Sequence, residues 1–288
     1  MTRRHRIVAE SLKEILPEDK VRLATKGFDI VGDAAIIRIP ESLENERFLI
    51  AEALHNHLPY VKTILRQVGA IMGEFRTRKL EWLWGEKKTI VSHKEHGCIF
   101  EVDLATTYFS PRLIRERARI VGLCSNARDY ESVLNMFSGV GCFSIRIAKE
   151  RGKRHVYSVD LNPHAITCQL RNIRLNHVKS SVTVVFGDAK QIAESLFRDS
   201  MQRILMPLPE RAYAYLDSAL AALTPNGGTI HYYDFTHAHG DEDPVEKITR
   251  KVAVKLSAQD RPFVIDYGGI VRTIGPNWYQ VVLDITLT

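Results

Sequence analysis

Cysteine is scarce in this chain: four residues in 288, namely Cys98, Cys124, Cys142 and Cys168, with no C-x-x-C pair among them. That excludes a disulfide scaffold and a C-x-x-C zinc site, and it fits reduced, buried thiols in a cytoplasmic protein. A run of about 18 apolar residues is also missing, so no membrane-spanning helix is expected. The basic opening, Met1-Thr-Arg-Arg-His-Arg6, lacks the apolar core of a signal peptide. No internal repeat or low-complexity stretch is present. What the chain does have is a hydrophobic content of 45%, enough for one large or two modest domains. Its net charge of +6 is compatible with a polyanionic partner without requiring one.

The stretch that carries most information is Asn135-Met-Phe-Ser-Gly-Val-Gly-Cys-Phe-Ser144, followed by Val156-Tyr-Ser-Val-Asp-Leu-Asn-Pro163. The first part reads as a strand, a glycine turn and a helix start. The second reads as a strand ending in Asp160, 21 residues after Gly139. In a doubly wound sheet this spacing lets Gly139 and Gly141 bring backbone close to a nucleoside, while the acid takes the ribose hydroxyls. A dinucleotide fingerprint wants a third glycine where this chain has Ser144, and bulky Cys142-Phe143 suits a pyrophosphate poorly. S-adenosylmethionine (AdoMet) carries no phosphate and tolerates the turn. Phe186-Gly-Asp-Ala189, after a third apolar strand at Val182–Val185, adds an acid suited to the adenine amino group. A bare structural turn would explain the glycines but not the acids at two successive strand ends.

From Val133 onward strands and helices alternate: strands at 133–137, 156–159, 182–185, 204–206 and 229–233, helices between them and at 210–223 and 244–256, and terminal strands at 263–267 and 278–286. Such alternation implies a mostly parallel sheet covered on both faces. Before it, residues 1–26 have helical spacing, Phe28–Pro40 reads as two short strands about a Gly32-Asp33 turn, and helices are expected at 43–58 and 61–69. Residues 70–110 alternate as in a small β-rich region, a boundary falls near Pro111, and a helix over 112–123 leads into the second domain.

Acceptor-side residues of such a fold lie at the carboxyl ends of the strands. One candidate is the turn after the fourth strand, Pro207-Leu-Pro209, where Pro209 offers a carbonyl; it also reads as a plain strand-to-helix stop. Glu131, in Arg128-Asp-Tyr-Glu131, reads either as a general base or as a solvated loop acid. Tyr108-Phe-Ser-Pro-Arg-Leu113 reads either as a base-stacking, phosphate-binding segment or as a hinge. Lys62, Arg66, Arg76, Arg78, Lys79, Lys87, Lys88, His93 and Lys94, interleaved with Trp82 and Trp84, read as an RNA-binding mixture or a solvated face. His231, His237 and His239 flank Asp234, but no metal site is expected.

The chain resembles the archaeal and eukaryotic tRNA guanine-37 N1-methyltransferases over most of its length. The resemblance rests on Asp29-Ile-Val-Gly-Asp-Ala-Ala-Ile-Ile-Arg-Ile-Pro40, Gly73-Glu-Phe-Arg-Thr-Arg-Lys-Leu80, His93-Lys-Glu-His-Gly97, Tyr108–Leu113, Met136–Gly141, Asp160–Ala165 and Gly228-Thr-Ile-His-Tyr-Tyr233. It implies an α/β protein: a class I AdoMet-dependent methyltransferase domain, Rossmann-like with a mostly parallel sheet, over 111–288, and a smaller α+β tRNA-recognition domain over 1–110. It further implies a monomer in an archaeal cytoplasm, acting on the anticodon stem-loop at G37. The residues it assigns to AdoMet are Phe137, Gly139, Gly141, Asp160, Leu161, Asp188, Ala189 and Pro207. Arg76, Arg78, Phe109 and Arg112 fall to the RNA. As catalytic residues it implies Glu131, which matches the family's base, Lys94, which fills the place of an Arg that stabilises the charge pushed onto guanine O6, and Pro207 with Pro209, which replace an N-x-P turn. The extra N-terminal domain of longer family members is expected to be missing. The lost Asn keeps two related reactions in view: 3-amino-3-carboxypropyl transfer to a wybutosine precursor, and methylation of a wyosine intermediate. A non-catalytic RNA-binding protein is the remaining alternative.

Overall fold

A computed structural model describes residues 10–13, 15–23, 28–71, 73–125, 131–150, 154–259 and 261–288. The chain divides into two compact units, Met1–Arg112 and Leu113–Thr288.

In the first unit, a short helix α1 (Glu18–Leu23) precedes β1 (Asp29–Val31), β2 (Ala34–Ile37), helix α2 (Arg47–His57), β3 (Thr63–Gln67) and β4 (Leu80–Gly85). The strands form one sheet in sequence order, with β2 and β3 parallel and the other pairs antiparallel. Its core joins Ala35, Ile37, Ile64 and Leu83 to Leu43, Ile50, Ala51 and Leu54. The expected helix over 61–69 is instead strand β3, which lies between β2 and β4. Thr63, Ile64 and Leu65 are all buried, so the strand is covered on both faces. A doubly covered strand shows an apolar run with no alternation, and periodicity cannot separate it from a buried helix. A separate hairpin of β5 (Ile90–Glu95) and β6 (Cys98–Asp103) completes the unit.

The second unit opens with α3 (Ile114–Ser125). Strands β7 (Glu131–Asn135), β8 (Arg154–Asp160), β9 (Val182–Phe186), β10 (Arg203–Met206) and β11 (Gly228–His237) then alternate with α4 (Cys142–Lys149), α5 (Pro163–Leu175), α6 (Ala189–Ser195) and α7 (Ala212–Ala222). Helix α8 (Pro244–Ser257) leads to the hairpin β12 (Phe263–Gly275) and β13 (Trp278–Leu287). Strand order is β12-β13-β11-β10-β7-β8-β9, parallel from β11 to β9 and antiparallel at β13 and β12. The chain winds outward from β7 through β8 to β9, then returns to β10 on the other side of β7. The order therefore reverses between β7 and β10, and a ligand crevice is expected at their carboxyl ends. One sheet face packs Leu134, Met136, Ile204, Ile230 and Leu283 against Ala193, Leu216, Val252 and Leu256 of α6, α7 and α8. The edge hairpin is longer than the sequence pattern indicates, because β12 continues through three register shifts.

Candidate active site at the carboxyl edge of the sheet

Strand β7 ends in the turn Phe137-Ser-Gly-Val-Gly141. Gly139 and Gly141 both have positive φ, 55° and 88°, a region that L side chains avoid. The Gly139 amide donates to Asp160 Oδ2 at 2.6 Å, and the Asn162 amide donates to Oδ1 at 2.9 Å. The structure thus joins the glycine turn to the acid at the end of β8. Burial pushes the Asp160 carboxyl up, against the opposing pull of the Asn162, Gly139 and Leu161 amides. Each carboxylate oxygen keeps acceptor capacity beyond these bonds, which suits a pair of ribose hydroxyls. Leu161 is half-buried beside it.

Beneath the turn lies a polar layer that sequence reasoning missed. Gln169 of α5 donates from Nε2 to Ser138 Oγ at 2.8 Å and Ser158 Oγ at 3.0 Å, and Asn172 donates to the Val140 carbonyl at 3.0 Å. Ser144 shares a 2.6 Å hydrogen bond with Ser158 and accepts from Asn135 Nδ2 at 3.0 Å. The hydroxyl at the third fingerprint position therefore faces inward to the core. The signal was available: Gln169 and Asn172 fall within the buried stripe of α5, with Ala165, Cys168 and Ile173. A Cβ at Gly141 would lie 2.8 Å from Gln169 Cγ and 3.1 Å from Ile145 Cδ1. Gly141→Ala is therefore expected to cost about 1–3 kcal/mol from backbone strain, measurable by chemical denaturation, and to weaken nucleoside binding as the turn shifts.

Asp188 caps α6, accepting from the Lys190 amide at 2.7 Å, and Oδ2 accepts from Tyr215 at 2.9 Å. Ala189 is buried in the first turn behind it. Phe137 meets the Tyr215 ring edge-on at 5.2 Å, so Tyr215 is a further member of this wall. At the end of β10, Pro207 is half-buried and Pro209 buried. The Leu208 carbonyl accepts the Arg211 and Ala212 amides at 3.0 and 2.9 Å, closing a rigid corner into α7. Phe137, Gly139, Gly141, Asp160, Leu161, Asp188, Ala189 and Pro207 thus gather at one edge of one sheet.

Glu131 does not join them, which corrects its assignment as base. It is the first residue of β7, paired with the first residue of β8. Gly139 lies in the turn beyond the other end of the strand, whose four residue steps alone span about 13 Å at some 3.3 Å each. The Glu131 carboxylate is buried and accepts from Arg203 Nε at 2.6 Å, and Arg203 is itself the first residue of β10. Of the preceding segment, Arg128, Asp129 and Tyr130 lie outside the described residues. The Arg203 guanidinium continues to His231 Nε2 at 2.6 Å, and His231 Nδ1 to Asp284 Oδ1 at 2.6 Å. Arg119 of α3 bridges Asp284 and Glu116, and Glu116 accepts from the Tyr233 hydroxyl at 2.6 Å. These groups form one charge chain on the sheet face opposite the α6–α8 core. His231 is thereby removed from any metal set, and no three-ligand group that could hold a metal ion occurs among the described residues.

In the first unit two RNA assignments are also corrected. The Arg78 side chain is 8% exposed, lies 3.7 Å from Asp29, and donates to the Phe109 carbonyl at 3.3 Å. Phe109 is buried against His93, so its ring offers no stacking face. Arg112 is exposed and bonds Asp29 at 2.9 Å, while Arg76 lies over the Tyr108 ring at 4.2 Å. Lys94 is exposed on β5 and forms no ion pair among the described residues.

Residues 90–258 match the TRM5/TYW2 methyltransferase domain. The chain belongs to that family. Residues 8–89 match the TYW2 N-terminal domain. Among relatives, the tRNA (guanine(37)-N(1))-methyltransferase Trm5b of Pyrococcus abyssi is 34% identical over 96% of this chain and 80% of its own. Its crystal structure superposes with a TM-score of 0.84 at 33% identity, covering 100% of this chain and 82% of that one. The tRNA 4-demethylwyosine(37)-methyltransferase Taw21 of Saccharolobus solfataricus is 34% identical over 90% of this chain and 93% of its own. A Pyrococcus horikoshii TYW2 structure, in complex with MeSAdo, gives a TM-score of 0.76 at 27% identity and covers 97% of both chains. Family members thus include more than one reaction at tRNA position 37.

Proposed function

We propose that this protein transfers the methyl group of AdoMet to N1 of guanosine 37 in tRNA. The observation that carries the reading is the Gly139–Asp160 hydrogen bond at the carboxyl ends of β7 and β8, next to the switch point between β7 and β10, in a chain of the TRM5/TYW2 family. The residues fit AdoMet: the acid retains acceptor sites for ribose hydroxyls, the glycine turn at positive φ is tied to that acid through the Gly139 amide, and no glycine is needed at Ser144 for a pyrophosphate. AdoMet supplies an electrophilic methyl group.

The work of this chain is placement. Asp160 and the glycine turn orient the ribose, Asp188 and Tyr215 form the wall proposed for the adenine, and the Pro207–Pro209 corner presents rigid backbone towards the acceptor. Holding nucleophile and methyl in line supplies much of the rate of such a transfer. N1 of guanine must also lose a proton. Glu131 is not its acceptor in this arrangement. Within the same reading, Arg76 and Arg112 of the first unit, which we propose as the tRNA-recognition domain, are assigned to RNA contacts.

One observation favours a second reading. Pro207 has no side-chain amide, so the corner lacks a donor that would hold a guanine edge, and a tricyclic wyosine intermediate at the same position is the alternative acceptor. Mass spectrometry of nucleosides from tRNA incubated with protein and AdoMet separates the two. A G37 transcript gaining one methyl at N1, and none when G37 is replaced by A, is the expected result. Methylation confined to tRNA carrying 4-demethylwyosine supports the second reading, and a gain of about a hundred daltons there marks aminocarboxypropyl transfer. The absence of any product on both substrates overturns the enzymatic reading.

A further inference from the structure

Of the two tryptophans in the basic stretch of the first unit, only one has a free face. Trp84 is stacked on His55 with ring centroids 3.6 Å apart. Trp82 is 39% exposed, and its indole nitrogen donates to the Gly85 carbonyl at 3.2 Å, which fixes the ring against the end of its own strand. It lies on β4, the edge strand of the four-stranded sheet. Leu65 stands opposite it across the β3–β4 ladder, and neither belongs to the core on the α2 side. The segment leading into β5 crosses this outer face. Together they line a cavity of about 440 Å³ formed by Leu65, Leu80, Trp82, Lys87, Lys88, Thr89 and Ile90.

The chemistry of the lining is one-sided. The floor is aliphatic and aromatic, and the lining charges are two lysines with no carboxylate. Lys88 is held by Asp33 at 2.8 Å and Glu86 at 2.7 Å. Lys87 is exposed and forms no ion pair among the described residues. A volume of this size is in the usual range for small-ligand sites. A pinned aromatic face with an uncommitted ammonium beside it is the arrangement that takes an unpaired nucleotide, through stacking and one phosphate contact.

We propose that this cavity is a binding slot for one unpaired nucleotide of RNA, with its base on Trp82 and its phosphate on Lys87. The slot rests on the reading that the protein acts on RNA, but not on which base is modified. Aliphatic Leu80 and Ile90 offer no hydrogen bonds to base edges, and the Thr89 hydroxyl, donor and acceptor alike, suits any of the four bases, so the slot is tolerant of base identity.

The test uses the full chain and a fluorescein-labelled, seven-nucleotide single-stranded RNA of mixed sequence, followed by anisotropy across a salt series. Trp82→Ala is expected to weaken binding at least about fivefold, the lower end for loss of one stacked base, and Trp82→Phe to restore most of it. Lys87→Ala should lower the salt slope by about 0.7, the value for one phosphate on a single strand. Far-UV circular dichroism and thermal unfolding of the same variants should match the parent, showing that the first unit, which carries Trp82 and Lys87, is intact. Equal binding by Trp82→Ala and parent, or no binding of the oligonucleotide by the parent, overturns the slot. So does an unlabelled extended peptide that competes while RNA does not, which would make this edge strand a peptide site. The nucleoside product assay reads separately: Trp82-dependent RNA binding without any product leaves the slot standing and removes the methyltransferase reading. Product formation with no effect of Trp82 does the reverse.

Discussion

Replacing Arg203 by Met should lower the stability of the protein by about 3–5 kcal/mol, the cost of stranding a buried charge by removing its partner. The Arg203 and Glu131 side chains are 11% and 9% exposed, so water cannot take over from the lost guanidinium. His231 is affected as well. A guanidinium only donates, so His231 Nε2 accepts from Arg203 and Nδ1 carries the proton that it gives to Asp284. Removing Arg203 therefore leaves an acceptor and a carboxylate unpaired in the same pocket. The double variant Glu131→Gln with Arg203→Met should recover part of the loss, because an amide is far cheaper to bury than a carboxylate. Urea denaturation of the single and double variants measures both. If Glu131 were instead the base, Glu131→Gln would remove the pH dependence of single-turnover methylation. The geometry predicts that it lowers Tm and leaves that pH profile in place.

The same chain fixes how acid acts on the fold. Burial pushes the His231 imidazole down from 6.5, an effect that its Asp284 partner only partly offsets. The unfolded chain then takes up this proton more readily than the native one, so stability declines as pH falls below about 6.5. Asp284 is buried, which opposes ionisation, yet His231 and Arg119 hold its carboxyl down at about 2. Its contribution is present above its ordinary value of 3.8 and is lost as pH falls from there towards 2. Stability against pH should show two acid steps, and His231→Gln should remove the upper one.

The charge chain has no local pattern that announces it, and the polar layer under the turn shows in the sequence only as Gln169 and Asn172 on the apolar stripe of α5. Glu131, Arg203, His231 and Asp284 are spread over much of the second unit and meet only because β7, β10, β11 and β13 are neighbours in the sheet. A polar residue next to a strand reads as surface when its partner is distant in sequence, and Glu131 invited that reading, or a functional one, for the same reason. The glycine turn was legible because its requirement is local: positive φ at Gly139 and Gly141, and an acid one strand later. The strand–helix alternation of the second unit was legible because its period changes at every turn. Strand β3 was not, since burial on both faces erased its alternation. Arg78 and Phe109 belong to motifs that mark the family, yet their contacts show them holding the first unit together.

Asp160→Ala should raise the Kd for AdoMet at least about tenfold, measured by isothermal titration. Two losses add in that variant. The ribose loses a charged acceptor, and a hydrogen bond to a charged group contributes about 1.5–3 kcal/mol, of which about 1.4 already corresponds to tenfold. The Gly139 amide also loses its 2.6 Å partner, so the turn that should contact the cofactor is no longer fixed in place. Asp160→Asn separates the two losses, since an amide oxygen can keep the bond to Gly139 while the charge is gone; its affinity should fall between parent and Ala. The elevated carboxyl adds a signature that a purely structural residue would lack. Because burial raises the Asp160 pKa above its ordinary 3.8, the carboxylate is lost on acidification earlier than an exposed one, and AdoMet affinity should weaken as pH falls through that range. Asp160→Asn has no such proton to gain, so its weaker affinity should be flat over the same interval. Identical pH profiles for parent and Asn variant would remove Asp160 from the cofactor site.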